Sequence, residues 1–367
     1  MYKIKKSSAL TAFCYAVFIF FNVVYYSNIT VNWEFYVNNN WSDNYFTYVL
    51  NGDSTKAYFP RLAQLINNDP TVSGFLSIQP SHSISYIYYF IWLVFRYDFS
   101  DIIIVSFLVN NILVVISYFY FVKLGKEVIG LKMNWRGLYF LNPTLVFISQ
   151  MISKEMFLLT FMMMFAYYSI QRKYLFLSVI SIFTYFVRAP FAVLGFMPLV
   201  LKGNEVRIKT FLFLILGFLL AVGYAYNSLG SFEPRIWKNA GMTRLAFEWN
   251  YFYLGPLMMM PFKILANFYD LIKHAFYPIQ QGKIVLYHIT TLPITLALFT
   301  QYKAIFYVVF HPLNALRGRC GSLLAFVIAF LILISANPYV HSRYLWPILP
   351  LILLVLIGIQ KTRSVEV

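Results

Sequence analysis

The stretch Ile84-Ser85-Tyr86-Ile87-Tyr88-Tyr89-Phe90-Ile91-Trp92-Leu93-Val94-Phe95 decides how the whole chain is threaded. It is apolar and aromatic, but between His82 and Arg96 it falls short of the about 20 residues a membrane-crossing helix needs. Read as a span, it sends the basic connectors downstream of it outside the cell. Read as a surface helix, it keeps them inside. Loop Lys and Arg favour the cytoplasmic side, so the surface reading is the consistent one.

Working outward from that choice, a first span over about 8–26 follows Lys3, Lys5 and Lys6. The next is expected at about 102–122, delivering Lys123, Lys126, Lys132 and Arg136 to the cytoplasm. Alternation continues through about 137–150, 156–170, 174–187, 190–201, 210–226, 284–300, 322–336 and 345–359. Most of the 29 Lys and Arg then fall in short inside connectors, joined by only Glu127, Glu205 and Glu366 of the 13 acids. The expected fold is all-α: a polytopic integral membrane protein of about ten transmembrane helices, in a range of about nine to twelve. Residues 1–367 form one membrane domain with both termini in the cytoplasm. Residues 27–101 form a first outer loop with interfacial helices, and 227–283 a second. In the second, Leu254-Gly255-Pro256-Leu257-Met258-Met259-Met260-Pro261 is expected to lie on the membrane surface as a broken amphipathic helix. No internal repeat or broken midplane helix is visible in the sequence.

Composition agrees with a chain whose solvent is lipid. It is 60% hydrophobic and 11% charged, where soluble domains carry about 25% charged residues. The net charge of +16 comes from Lys and Arg scattered through connectors, not from a basic face, so nucleic acid is not an expected partner. Cys14 sits in the first apolar run and Cys320 in an Arg-rich connector, which argues against a disulfide.

The polar stretch between the first two spans holds Asn51-Gly52-Asp53-Ser54-Thr55-Lys56-Ala57-Tyr58-Phe59-Pro60-Arg61. Asp53 there reads as a general base, as a ligand for a divalent ion, or as a helix N-cap. Asp43 is the second candidate acid, and on a short helix begun by Asp53 or Ser54, Tyr58 and Arg61 would sit near one face, with Pro60 distorting the last turn. Ser153-Lys154-Glu155 interrupts an apolar stretch, where two opposite charges are costly unless paired or facing water. It reads as a hairpin tip with a solvated ion pair, or as Lys154 holding a phosphate with Glu155 orienting it or serving as a second acid. Arg188 lies between two apolar runs and either snorkels or binds phosphate. His341 and Arg343 stand before the last span, as an interfacial anchor or as an anionic-headgroup site. Charge counting puts Asp53, Lys154, Glu155, Arg188, His341 and Arg343 on one side of the membrane. No Walker loop, dinucleotide fingerprint, Ser-His-Asp order or His/Cys metal cluster is present in the sequence.

In order and spacing, the chain resembles bacterial membrane glycosyltransferases of the GT-C superfamily and the membrane proteins of O-antigen and capsule clusters. The residues that carry the likeness are Gly52-Asp53-Ser54-Thr55-Lys56-Ala57-Tyr58 in the first outer loop and Gln79-Pro80-Ser81-His82-Ser83-Ile84-Ser85-Tyr86 after it. Leu141-Asn142-Pro143, Ile152-Ser153-Lys154-Glu155, Val187-Arg188-Ala189-Pro190 and Arg343-Tyr344-Leu345-Trp346-Pro347-Ile348-Leu349-Pro350 follow. The resemblance implies a bacterial inner-membrane enzyme active on the periplasmic face. Asp53 would be its catalytic base and a polyprenyl-phosphate or polyprenyl-diphosphate sugar its donor. The acceptor would be a cell-surface glycan or lipid, either for single-sugar transfer or for repeat-unit polymerisation. No cofactor is called for beyond the optional divalent ion. The rival expectation is a flippase for lipid-linked oligosaccharides.

Overall fold

The computed structural model describes residues 12–16, 18–20, 62, 65–66, 83–96, 101–130, 136–142, 145, 152–202, 205–228, 254–276, 286–336 and 342–366. These are mostly helical. In chain order come α1 (Ser83–Phe95) and α2 (Ile102–Lys123), the latter continued by a π-helical turn, Leu124–Ile129, and followed by a 3-10 turn, Arg136–Leu141. Next are α3 (Lys154–Gln171), α4 (Tyr174–Arg188), a 3-10 segment Ala189–Phe196, and α5 (Met197–Val200). A small hairpin pairs β1 (Leu201–Lys202) with β2 (Glu205–Val206), in register Leu201 to Val206. Then come α6 (Ile208–Ser228), α7 (Gly255–Phe276), α8 (Leu286–Thr300), α9 (Tyr302–Phe310), α10 (Pro312–Arg317) and α11 (Gly321–Ser335). Two 3-10 turns, Ser342–Tyr344 and Trp346–Ile348, lead into α12 (Leu349–Glu366).

Two helical stretches among the described residues are long and apolar enough, by length and composition, to cross a membrane, Ile104–Ile129 and Tyr174–Val200. A third is counted if α8 and α9, bent by 66° at Gln301, form one broken span. Among the described residues, two or three stretches meet that test by length and composition, against the about ten spans expected from the sequence. Several expected spans are interrupted: 137–150 opens as a 3-10 turn, and 190–201 is mostly 3-10. Pro190 and Pro198 lack the N–H groups that a continuous α-helix uses. Apolar side chains still cover the outside, with Leu175, Phe176, Ile182 and Phe183 of α4 and Leu212, Phe213 and Leu216 of α6 all exposed. Contiguous apolar surface of this kind is unusual on a soluble monomer.

Tyr174–Val200 passes by length and composition, but it is a hairpin rather than a rod. Arg172 Nη2 donates to the Leu201 carbonyl at 2.7 Å, whereas a straight α-helix would hold those residues about 40 Å apart. A Cβ on Gly195 would come 3.3 Å from Ser181 Cβ. The chain turns at Arg188, whose backbone is extended, and the 3-10 segment packs back along α4. The arms match in length: both α4 and the shorter but more stretched return strand of helix rise about 22 Å. Small Gly195 is what lets them close.

Helix α3 shows why the sequence breaks where it does. Ser153 is extended and its hydroxyl accepts from the Glu155 N–H at 3.1 Å, capping the first turn. The helix stops at Arg172, which is left-handed with φ 53° and donates its N–H to the Ser169 carbonyl. Helices α11 and α12 are apolar nearly all round and form the buried centre of the bundle. Charged residues sort to two ends. At one, Tyr167 donates to Glu127, Arg172 meets Leu201, Lys361 meets Gly130 and Arg319 lies against Gly130. At the other are the starts of α3 and α12 and the ends of α4 and α11.

Ile84–Phe95 is helical, and α1 packs against α4 with Ile84, Ser85 and Tyr88 buried. Residues 255–276 do not form a broken surface helix: α7 runs unbroken through Pro261 and packs on α6, α8, α11 and the Ser342–Tyr344 turn. Pro261 forgoes one backbone bond, but its side chain faces outward, so the helix continues past it. Lys263 beside it is buried, and its ammonium donates to the Ser335 carbonyl at the end of α11, 2.9 Å away.

Candidate anion site at the Arg343 end

The site is built on Glu155. Because Ser153 caps α3, the carboxylate of the second helical residue is turned back over the cap, and the Ser153 hydroxyl donates to Glu155 Oε2 at 2.6 Å. Glu155 Oε1 pairs with Arg343 Nε at 2.8 Å. The Glu155 side chain is 7% exposed and that of Arg343 21%, so the pair is shielded but reachable from one side.

Arg188 stands beside this pair. Its guanidinium lies 4.4 Å from the centre of the Tyr344 ring and 5.5 Å from that of Phe191, a cation–π setting that holds the planar group in place. The Ser342–Tyr344 turn thus carries one cation of the site and the aromatic platform for the other. The turn is anchored from behind: Trp346 is fully buried, and its carbonyl accepts from Asn142 Nδ2 at 3.2 Å. Helix α3 packs on the Trp346–Ile348 turn, and Phe191 packs on Phe330 of α11 at 4.8 Å between ring centres.

Burial alone would push the Glu155 carboxyl up. The Arg343 charge, the Ser153 and Arg343 hydrogen bonds and the Arg188 charge outweigh it and hold the carboxyl at about 2. The carboxylate is therefore ionised at any physiological pH, with both oxygens engaged. Among the described residues, two guanidinium groups face one carboxylate, a net positive set, and such planar cations suit phosphate or carboxylate ligands.

Of the residues singled out in the sequence, Glu155, Arg188 and Arg343 come together, and Lys154 opens the same helix. Asp43, Asp53, Tyr58, Arg61 and His341 lie outside the described residues, as does any divalent-ion site centred on Asp53. Glu155 is not part of a solvated tip: it is buried and reaches Arg343. The C-terminal aromatics are not a surface anchor at Trp346, which is in the core. Four short motifs far apart in sequence, around Asn142, Glu155, Arg188 and Arg343, converge here. Sequence reading gave no role to Tyr344, Asn142 or buried Lys263; the first two stood only inside the motifs of the resemblance, and Lys263 was a lone cation within an apolar run. Among the described residues, no group of three His, Cys, Asp or Glu could hold a metal ion.

An apolar cavity of about 350 Å³ lies between the 193–200 segment, α6 and α11, lined by Val193, Phe196, Phe211, Phe218, Ile332 and Leu333 among others. It continues the same segment that begins at Arg188. No protein-family model, curated protein or solved structure matches the chain.

Proposed function

We propose that this chain is a multi-pass membrane transferase. It moves a sugar or oligosaccharide repeat from a polyprenyl-phosphate or polyprenyl-diphosphate donor to a cell-surface glycan or lipid acceptor. One observation carries the reading: Arg188 and Arg343 converge on a single ionised carboxylate at one end of an apolar bundle. A shielded, net positive cluster favours a phosphate-bearing ligand, and developing charge on a leaving phosphate would be neutralised there. The apolar cavity that continues the Arg188 segment supports a donor with a hydrocarbon tail. In this reading the Arg343 end faces the periplasm and the opposite, Lys- and Arg-rich end the cytoplasm.

The roles divide by chemistry. A carboxyl held at about 2 is too weak a base to take a proton from a hydroxyl near neutral pH. Glu155 is thus a positioning residue for Arg343, and the proton acceptor of the proposal is Asp53. The test is transfer from a defined lipid-linked donor by Asp53→Asn protein that inserts and folds normally. Loss of transfer is expected, and full activity would overturn the assignment. The 66° bend between α8 and α9 favours a second reading, a flippase, because transporters use broken helices at their substrate sites. Movement of a fluorescent lipid-linked oligosaccharide across liposomes, without transfer to an acceptor, would select it.

A further inference from the structure

The cavity between the 193–200 segment, α6 and α11 measures about 350 Å³, within the range of about 300–1,000 Å³ typical of ligand pockets. Among the described residues its walls carry no polar side chain, so water inside it would lack the side-chain partners that hold buried water elsewhere. Phe196, Leu199 and Phe213 line it and are each more than half exposed, so it opens onto the apolar outer surface of the bundle. Gly217 lines it too, inside α6, where glycine is a poorer helix former than alanine. Neither usual reason for glycine applies there. Its φ is not positive, since Gly130 alone among the described glycines has one. A Cβ on Gly217 would meet nothing within 4 Å, whereas one on Gly195 would press on Ser181. The missing side chain leaves open space at the cavity wall and serves no packing contact.

The cavity adjoins the Arg343 cluster along the chain and through side chains. Arg188 precedes the 3-10 segment, whose rise of about 2 Å per residue puts Val193 about 10 Å beyond it. The Arg188 guanidinium lies over the Phe191 ring, Phe191 packs on Phe330, and Ala329 beside Phe330 lines the cavity. A phosphate at the guanidinium groups would thus leave its hydrocarbon tail a short step from an apolar slot. One cavity takes one chain, which a polyprenyl phosphate has and a diacyl phospholipid exceeds. We propose that this cavity holds the isoprene units nearest the phosphate of a polyprenyl phosphate, with Gly217 keeping room for their methyl branches. The tail's identity rests on the transferase reading, but occupancy of the cavity needs no sugar transfer.

The test is photocrosslinking of the purified full chain in phosphatidylcholine liposomes, with a polyprenyl phosphate carrying a diazirine in its first isoprene units. Peptide mass after digestion should place adducts within 193–200, 211–218 and 329–333. Unlabelled polyprenyl phosphate should suppress them, and phosphatidylglycerol at the same concentration should not. Gly217→Phe should lower the apparent affinity for the probe about ten-fold, with the thermal unfolding midpoint unchanged or raised. Ala329→Leu, on the α11 wall, should act in the same direction and takes its place should Gly217→Phe not fold. Adducts elsewhere, equal suppression by phosphatidylglycerol, or full affinity in the folded variants would overturn the site. The two readings fail separately: cavity adducts without sugar transfer support the site and remove the transferase, whereas transfer with adducts elsewhere removes the site alone.

Discussion

Arg343 Nε lies 2.8 Å from Glu155 Oε1, joining the first turn of α3 to the turn that precedes α12. Ser153 closes the arrangement from the other side, accepting from the Glu155 N–H and donating to its carboxylate. A shielded pair of this kind holds geometry more than it adds net stability, because desolvation of both ions offsets their attraction. Its worth is in fixing where the Arg343 guanidinium points.

Breaking the pair from one side should therefore be costly. Glu155→Ala or Arg343→Ala each leaves a buried charge without its partner and should destabilise the protein by about 3–5 kcal/mol. Glu155→Gln combined with Arg343→Gln removes both charges and should cost clearly less than the two single losses together. Chemical or thermal unfolding of the four proteins in one detergent measures this directly.

The same pair sets an acid limit. An ordinary glutamate carboxyl protonates near 4.5, whereas Glu155 is held at about 2 in the fold. The folded value is the lower one, so its contribution to stability is fully present above about pH 5 and is lost as pH falls toward 2. The unfolding midpoint of Glu155→Gln should accordingly fall less steeply than that of the unaltered protein below about pH 4.5.

The hairpin within Tyr174–Val200 is open to a covalent test. Ser181 Cβ lies 3.3 Å from the Cβ position of Gly195, close to the about 3.5–4.5 Å of a disulfide. Ser181→Cys with Gly195→Cys should form an intrachain crosslink on mild oxidation, seen by peptide mass after digestion. A straight span would separate the two positions by about 21 Å and give none.

Arg188 owes its place to stacking on Tyr344 and Phe191. Arg188→Lys keeps the charge but loses the planar fork, so for a phosphate-linked donor KM should rise about ten-fold with a smaller change in kcat. Tyr344→Leu should move KM in the same direction while the charge stays intact. An unaltered KM in both would remove Arg188 from donor binding.

Local signals carried much of the helical layout. The breaks before 156, between 170 and 174 and between 187 and 190 are legible from charges interrupting apolar runs, and the structure ends or turns its helices there. What could not be read is pairing across the chain. Nothing near Glu155 in sequence names Arg343 as its partner over Lys154, and nothing near Arg188 names Tyr344. The shortness of the arms was hidden too, because hydropathy does not register that residues 189–196 are 3-10 or that Pro261 can sit on the outer side of an intact helix.

The most direct measurement of the central claim is sugar transfer from a defined polyprenyl-diphosphate-linked donor by the purified chain in liposomes. It compares the unaltered protein with Glu155→Gln/Arg343→Gln, which removes both charges of the ion pair together. The cluster as a donor-phosphate site requires transfer by the unaltered protein and a fall in kcat/KM of about 100-fold or more in the double variant, with unfolding still cooperative. Transfer by the folded double variant at the unaltered rate would contradict it.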